Sequence, residues 1–260
     1  MPYASCLLPG LFMIALIAAV PLETELLRRR LAPCEVRRCN GYDLFRGTIF
    51  GRPVCLLHSG IGKANAAAAA MALLADCRPT ALIMLGCGGA YPESGLAVGD
   101  LALATVEIYG DEGVQAPAGF QDMEAIGLPL VEVDGLRFFN RFPVDGPLIE
   151  RAQPLFMQAA EAANAQLREG PFVTVSTCSG TARAGAEIVR RTGGVCENME
   201  GAAVAQVCTQ QHVPFLEVRG ISNLVEDRDL ARWDLRRGAE MAQQAVQTLL
   251  SEWQASKVPA

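Results

Sequence analysis

Histidine is the scarcest functional residue: His58 and His212 are the only two in 260 residues. That leaves few parts for a histidine metal site or for a Ser/Cys–His relay. Nine cysteines occur, an odd number, and no two stand in C-x-x-C spacing. They are expected as reduced thiols in apolar surroundings of a cytoplasmic protein, not as a disulfide framework. Basic blocks are lacking as well. With 22 Lys and Arg against 28 Asp and Glu the formal net charge is -6, which argues against nucleic acid or an anionic membrane as partner. The apolar run Cys6 to Leu22 is 17 residues long and is broken by Pro9, Gly10 and Pro21, with no Lys or Arg before it. It is short for a membrane span and wrongly flanked for a signal peptide. A buried strand over Phe12 to Val20 is expected there. No linker, repeat or low-complexity tail is present, so one domain is expected over 10–256, with 1–9 as a loose tail.

What is there is aliphatic: hydrophobic residues make up 51% of the chain. Apolar runs alternate with Ala-rich helical stretches, the pattern of an α/β protein large enough to bury a real core. After the first strand a short helix opens at Leu22 to Leu27. A hairpin is expected from Arg46 to Phe50 and Val54 to His58, then a helix over Ala64 to Cys77. Strands follow at Ala81 to Leu85 and Gly99 to Tyr109. Residues 110–147 read as an irregular, functional loop. A helix is expected over Pro147 to Glu169, and a strand over Phe172 to Ser176. The strand Phe215 to Ile221 is followed by a helix over Trp233 to Trp253, whose Leu235, Ala239, Ala242, Val246, Leu249 and Trp253 share one face.

Two glycine-rich segments follow strands, Gly60-Ile61-Gly62-Lys63 and Gly86-Cys87-Gly88-Gly89. Neither completes a Walker loop, since residue 57 is Leu and residue 64 is Ala, and neither completes G-x-G-x-x-G. Close backbone approach to a ligand or a second strand remains. Beyond the carboxyl ends of strands, where ligands of open α/β sheets lie, three residues carry chemistry. Glu23 follows strand one and is either a solvated helix-start carboxylate or a general base. Glu200 opens an Ala-rich helix and is either a helix-dipole carboxylate or the acceptor for a vicinal diol. Asn223 is either an ordinary strand-end turn residue or a base-contacting amide. His58 is expected to be packed, and His212 to lie on the surface.

Five stretches in one order carry a resemblance over nearly the whole chain. They are SGIGKANAAAA (Ser59 to Ala69), LGCGGAY (Leu85 to Tyr91), GDLALAT (Gly99 to Thr105), ENMEGAAVAQVC (Glu197 to Cys208) and VPFLEVRGISN (Val213 to Asn223). With these the chain resembles the nucleoside phosphorylase and nucleosidase superfamily, the nucleosidase branch in particular. Asn223, the ISNLVEDRD segment and Tyr109 to Pro129 are similar to the futalosine hydrolases of menaquinone biosynthesis. The resemblance implies a three-layer α/β/α fold with a central mixed, partly barrel-like sheet, and hydrolysis of the N-glycosidic bond of futalosine with release of hypoxanthine. The alternatives are an adenine-type nucleosidase, a purine nucleoside phosphorylase and a non-catalytic nucleoside-binding protein.

By the same resemblance Glu23 activates water, Met199 and Glu200 hold the ribose, and Asn223 contacts the purine. Cys87 and Gly88 lie beside base and sugar, and Thr181 and Asn198 belong to the binding site. Asn198 stands in place of a glutamate of the adenine enzymes, and around Gly180 and Thr181 no aromatic stacker is present. Phe172 or a loop phenylalanine is left for stacking, and Arg137 or Arg141 for an anionic 5′ end. The partner is a small-molecule nucleoside, with homo-oligomerisation implied. No ligand cluster appears, so no metal or cofactor is implied.

Overall fold

In a computed structural model residues 13–253 are described, so the tail expected over 1–9 and Phe12 of the first expected strand lie outside the described residues. In chain order the elements are β1 (Ile14–Ala18), a 3-10 turn (Pro21–Thr24), α1 (Glu25–Arg30), β2 (Glu35–Cys39), β3 (Tyr42–Ile49), β4 (Arg52–His58) and α2 (Lys63–Cys77). Then come β5 (Ala81–Ala90), β6 (Leu101–Tyr109), β7 (Gly113–Ala116), β8 (Gly119–Asp122), β9 (Val131–Val133), β10 (Leu136–Phe138) and β11 (Arg141–Pro143). The chain finishes with α3 (Gly146–Ala162), β12 (Leu167–Thr174), α4 (Ala182–Thr192), β13 (Cys196–Asn198), α5 (Gly201–Gln210), β14 (Phe215–Leu224) and α6 (Leu235–Ser251).

The main sheet is mixed and closes on itself in part. β6 pairs β12, β12 pairs β13, β13 pairs β5, β5 pairs β14, and β14 returns to β6. From β5 the sheet continues outward through β1, β4, β3 and β2, and β11 adds to β6. The strands of the ring carry near-continuous apolar runs such as Ala81-Leu82-Ile83-Met84-Leu85, as expected of strands covered on both faces. α6 packs on β14 and β5, and α2 packs with α5. The fold class implied by the resemblance is the one found.

Several boundaries differ from expectation, each for a local reason. The helix expected over Pro147 to Glu169 stops at Ala162, because Asn164 adopts the left-handed conformation at φ +52°. Leu167 to Glu169 then pair with Leu101 to Leu103 instead. The glycine segment Gly86-Cys87-Gly88-Gly89 is not a turn after a strand but the second half of β5. Likewise the strand expected over Phe215 to Ile221 runs on through Asn223 to Leu224 as β14. The loop expected over 110–147 holds two small hairpins, β7–β8 and β9–β10, and the edge strand β11. Of the predicted face of the last helix, Ala239, Ala242, Val246, Leu249 and Trp253 are buried, while Leu235 is exposed at the first turn. His58 is packed as expected. Its ring lies edge-on to Phe45 at 5.6 Å, its Nε2 is 2.6 Å from the Thr24 hydroxyl, and burial lowers its pKa to about 4.

α6 and β14 touch at backbone level. A Cβ on Gly220 would fall 1.9 Å from the Gly238 carbonyl oxygen, and one on Gly238 2.9 Å from that of Gly220. Because side chains alternate along a strand, Gly220 faces α6 while Glu217, Arg219 and Ile221 face the other way. The helix contact therefore fixes the strand that carries the charged residues.

Candidate active site

The carboxyl end of β1, the second half of β5, β13 and the end of β14 converge on a cavity of about 400 Å³. Glu23, Cys87, Gly88, Asn198, Met199, Glu200 and Asn223 line it. These are seven of the eight residues singled out from sequence. Thr181 is not brought in: it is exposed, and its hydroxyl accepts from the Ala184 N–H as the N-cap of α4.

Glu23 stands on the 3-10 turn that leaves β1. Its Oε2 accepts from the N–H groups of Ala19 and Val20 at 2.9 and 3.1 Å, and its Oε1 from that of Cys87 at 2.8 Å. Burial raises its pKa, against the opposing pull of Arg219 and of these backbone bonds. Such a carboxylate is held in place yet keeps more affinity for a proton than an exposed one, which suits a base.

Glu200 stands between β13 and α5, at the N-cap position of the helix, with its side chain turned to other partners. Its Oε1 accepts from the Gly62 N–H at 3.0 Å, and its Oε2 lies 3.4 Å from the Arg219 guanidinium. Gly62 has φ +95°, a conformation side chains resist. The Gly60-Ile61-Gly62 turn thus serves to aim one backbone donor at a carboxylate. Asn198 builds the corner beneath. Its Oδ1 accepts from the N–H groups of Glu200 and Gly201 and from the Thr174 hydroxyl, while its Nδ2 donates to Glu107. With its oxygen accepting from the N–H groups of Glu200 and Gly201, Asn198 positions Met199 and Glu200.

Arg219 lies beside the two carboxylates, paired with Glu200, and was not singled out from sequence. It is 1% exposed. Its guanidinium donates to Glu217 at 2.7 Å, to the Cys87 carbonyl at 3.0 Å and to Glu200 at 3.4 Å. Desolvation of so buried a cation is costly, and the neighbouring Glu217, Glu200 and Glu23 outweigh it, so the pKa of Arg219 lies above its ordinary value. A Cβ on Gly86 would meet Glu23 Oε1 at 2.6 Å and an Arg219 nitrogen at 2.9 Å. Glycine in β5 is what lets base and guanidinium approach. The sequence signal was present: Glu217 and Arg219 stand two apart in an otherwise apolar strand, on one face, and buried charges need partners. Behind them Glu107 and Glu217 are both fully buried, and burial raises both pKa values.

The other end of the cavity carries the Asn223 amide and the Glu197 carboxylate. Asn223 and Glu197 both pair with Gly89, from β14 and β13, so they flank a position with no side chain. Asn223 Oδ1 accepts from the Ser222 hydroxyl at 2.9 Å and its Nδ2 donates to the Leu224 carbonyl at 3.1 Å. One N–H is left over, and a Cβ on Gly89 would meet that nitrogen at 3.1 Å. The Cys87 thiol, its pKa raised to about 12 mainly by burial, points at the Leu235 carbonyl at 3.2 Å and is no nucleophile. Trp233, with Arg228 4.6 Å from its ring centre, also lines the cavity. Neither was foreseen, since both follow β14 in an irregular segment. Arg137 and Arg141 do not reach this cavity; they line a separate one. Phe172 is fully buried and absent from the lining. Among the described residues no group of three or more His, Cys, Asp or Glu is arranged to hold a metal ion, and no helix is long and apolar enough to cross a membrane.

A family model described as the phosphorylase superfamily matches residues 13–252. A 5′-methylthioadenosine/S-adenosylhomocysteine nucleosidase of Halalkalibacterium halodurans is 32% identical over 212 residues, which is 81% of this chain and 85% of the relative. A futalosine hydrolase of Thermus thermophilus is 33% identical over 197 residues, 75% of this chain and 80% of the relative. Among solved structures, the 5′-methylthioadenosine/S-adenosylhomocysteine nucleosidase of Neisseria meningitidis in complex with methylthio-immucillin-A superposes with TM-score 0.79 at 28% identity, covering 94% of this chain and 100% of that one.

Proposed function

The chain belongs to the phosphorylase superfamily and is an N-glycosyl hydrolase of its nucleosidase branch, and on that premise we propose that it cleaves a 6-oxopurine nucleoside, futalosine, to hypoxanthine and the dehypoxanthine sugar. The observation that carries this is the amide of Asn223 at the base end of the cavity, with its oxygen occupied and one N–H to spare.

Glycosidic cleavage leaves positive charge on the ribose and negative charge on the departing purine. Glu200 accepts the ribose hydroxyls and favours the cationic sugar by its charge, and Met199 lies under the ring. Glu23 orients and deprotonates the attacking water, a contribution typically worth ~10²–10⁴ in rate. Arg219 pairs with Glu200, and its charge acts on Glu23. At the far end an adenine leaves best when N7 is protonated, which calls for an acid. Hypoxanthine shares its charge between O6 and N7 and needs only a donor. Asn223 donates and cannot protonate, and one preorganised donor at developing charge is worth about 3 kcal/mol.

Water rather than phosphate is the acceptor in this reading. Lys63, the cation beside the glycine turn, is bound by Asp111 and by Glu112 and leans on the Tyr109 ring, so it offers no free charge to an anion. A second copy of the chain is part of the proposal as well. Ala64, Ala68 and Met71 leave an uncharged face of α2 exposed next to Ile61, which is 58% exposed at the cavity. Sedimentation of the purified protein at the mass of a dimer or larger assembly is the expected result.

The test is base release from futalosine, inosine, methylthioadenosine and aminodeoxyfutalosine, with and without phosphate. Hypoxanthine from futalosine, independent of phosphate, is expected. Adenine as the main product would replace this reading with the adenine-type one, phosphate dependence would make the protein a phosphorylase, and no release from any substrate would leave a binding protein.

A further inference from the structure

The cavity has one more buried charge that the mechanism above does not use. Glu197 is 6% exposed, sits at the base end of the cavity, and belongs to neither the ribose corner nor the water site. Its Oε1 accepts from the Ser179 N–H at 2.8 Å. Its Oε2 accepts from the Ser179 hydroxyl at 2.6 Å and from the Tyr91 hydroxyl at 2.9 Å. Ser179 is itself part of the lining.

These bonds have a consequence for polarity. A serine hydroxyl has one proton and two lone pairs. With its proton given to Glu197, Ser179 can only accept from anything else in the cavity, and the Glu197 oxygens, at which three donors already point, offer only acceptors as well. Across Gly89 the opposite holds. Asn223 has its oxygen filled by Ser222 and an N–H remaining. The register places Glu197 and Asn223 on either side of Gly89. The rim therefore sets two acceptors, Glu197 of β13 and Ser179 of the loop before α4, across from a donor on β14.

We propose that Glu197, with Ser179, is the specificity-determining group that reads position N1 of the base, accepting the N1–H of a 6-oxopurine and turning away the N1 lone pair of a 6-aminopurine. This rests on the substrate class proposed above and deepens it. A 6-oxopurine shows an acceptor at O6 and a donor at N1, which matches a donor on β14 and acceptors at Glu197 and Ser179. A 6-aminopurine shows the reverse order, so both sides of the rim would face their own kind. A buried acceptor that meets a lone pair in place of a proton is left unsatisfied, and that is where discrimination of this kind comes from.

Three substrates and one variant test it: futalosine, its 6-amino counterpart and its N1-methyl derivative, against the wild type and Glu197→Gln. The wild type should cleave the N1-methyl derivative at least ~10-fold less efficiently than futalosine. Glutamine can turn either an oxygen or an NH₂ towards Ser179, so the acceptor-only polarity is lost. The ratio of kcat/KM for the 6-oxo over the 6-amino substrate should then fall by roughly 10- to 100-fold. Equal losses on both substrates would mean that Glu197 only anchors the Ser179 loop. Wild-type cleavage of the N1-methyl derivative as fast as futalosine would also overturn the inference, whether or not the variant folds, while leaving futalosine as substrate. Failure of the wild type to release hypoxanthine would sink the substrate reading, and this inference with it, before any variant is made.

Discussion

Two cavities of nearly equal volume, about 430 and about 400 Å³, lie on this molecule. The larger is bordered by Arg137, Arg141 and Arg191, with Phe120, Phe138 and Phe139. Its charges are spent locally. Arg137 pairs with Glu132 at 3.1 Å, Arg141 donates to the Thr192 carbonyl, and Arg191 lies 4.2 Å over the Phe120 ring while both its NH groups donate to Gly110. The walls belong largely to short strands of the 110–147 region. The other cavity stands on long strands of the closed ring, and its Glu23, Glu200 and Arg219 are all 5% exposed or less. Volume and arginine content would choose the first cavity. What separates the second is that charges have been taken out of water at high cost and still point towards an open space.

Four substitutions would break or sharpen that contrast. The largest loss is expected from Glu23→Gln. It places an amide NH₂ against one of three backbone donors and removes the base, so kcat should drop by ~10²–10⁴ with the fold retained by circular dichroism. The pH profile sharpens it. The base works only when ionised and its pKa is raised, so wild-type kcat/KM should fall as pH drops through a value above the ordinary 4.5 of a glutamate, and this limb should vanish in the variant. Arg219→Met should act on stability first. It leaves Glu217 and Glu200 buried without their cation, a change of ~3–5 kcal/mol in denaturant unfolding. A loss under 1 kcal/mol would mean these carboxylates take up protons readily once the arginine is gone. Asn223→Asp should raise relative activity on 6-amino nucleosides by roughly tenfold, one hydrogen bond's worth of preference. Equal loss on all substrates would defeat the leaving-group argument. Arg141→Ala, in the other cavity, should leave kcat/KM for futalosine within about twofold, since surface changes of this kind stay near ±0.5 kcal/mol. A tenfold loss would show that the larger cavity belongs to the substrate path.

Sequence carried the frame of the site well and its interior poorly. Glu23, Glu200 and Asn223 stood out as polar residues at the ends of strands and helices, but their roles, and the place of Met199, came from the resemblance. Gly60-Ile61-Gly62 was legible as a turn, but its purpose depends on Glu200, 138 residues away. Gly86 to Gly89 were misread as a turn, since glycines after an apolar run end a strand more often than they thin one. Packing explains them: Glu23 and Arg219 crowd Gly86, the Cys196 sulfur crowds Gly88, and Val225 and Asn223 crowd Gly89. Arg219 was signalled only by Glu217 two residues before it in an otherwise apolar strand, a pairing that the motif reading passed over. Thr181 was carried over by position and proves to be a helix cap, where threonine satisfies the first turn of α4. Arg137 and Arg141 were chosen for their charge alone, which cannot say to which cavity a residue belongs.

The closed ring of β6, β12, β13, β5 and β14 has a consequence for how anything enters. A strand in such a ring has neighbours on both sides and no free margin along which to part, and at Gly220 and Gly238 the ring is clamped to α6. Gly88, Gly89, Glu197, Arg219 and Asn223 are therefore parts of a vessel with a rigid base. Traffic through it falls to the two connections that hang over the opening, 175–181 and 225–234, which meet where the Arg228 N–H donates to the Gly180 carbonyl. They are joined a second time where the Ala182 N–H donates to Asp227 at 3.0 Å, so the side of the cavity away from the ring is closed by loop contacts and not by strand pairing.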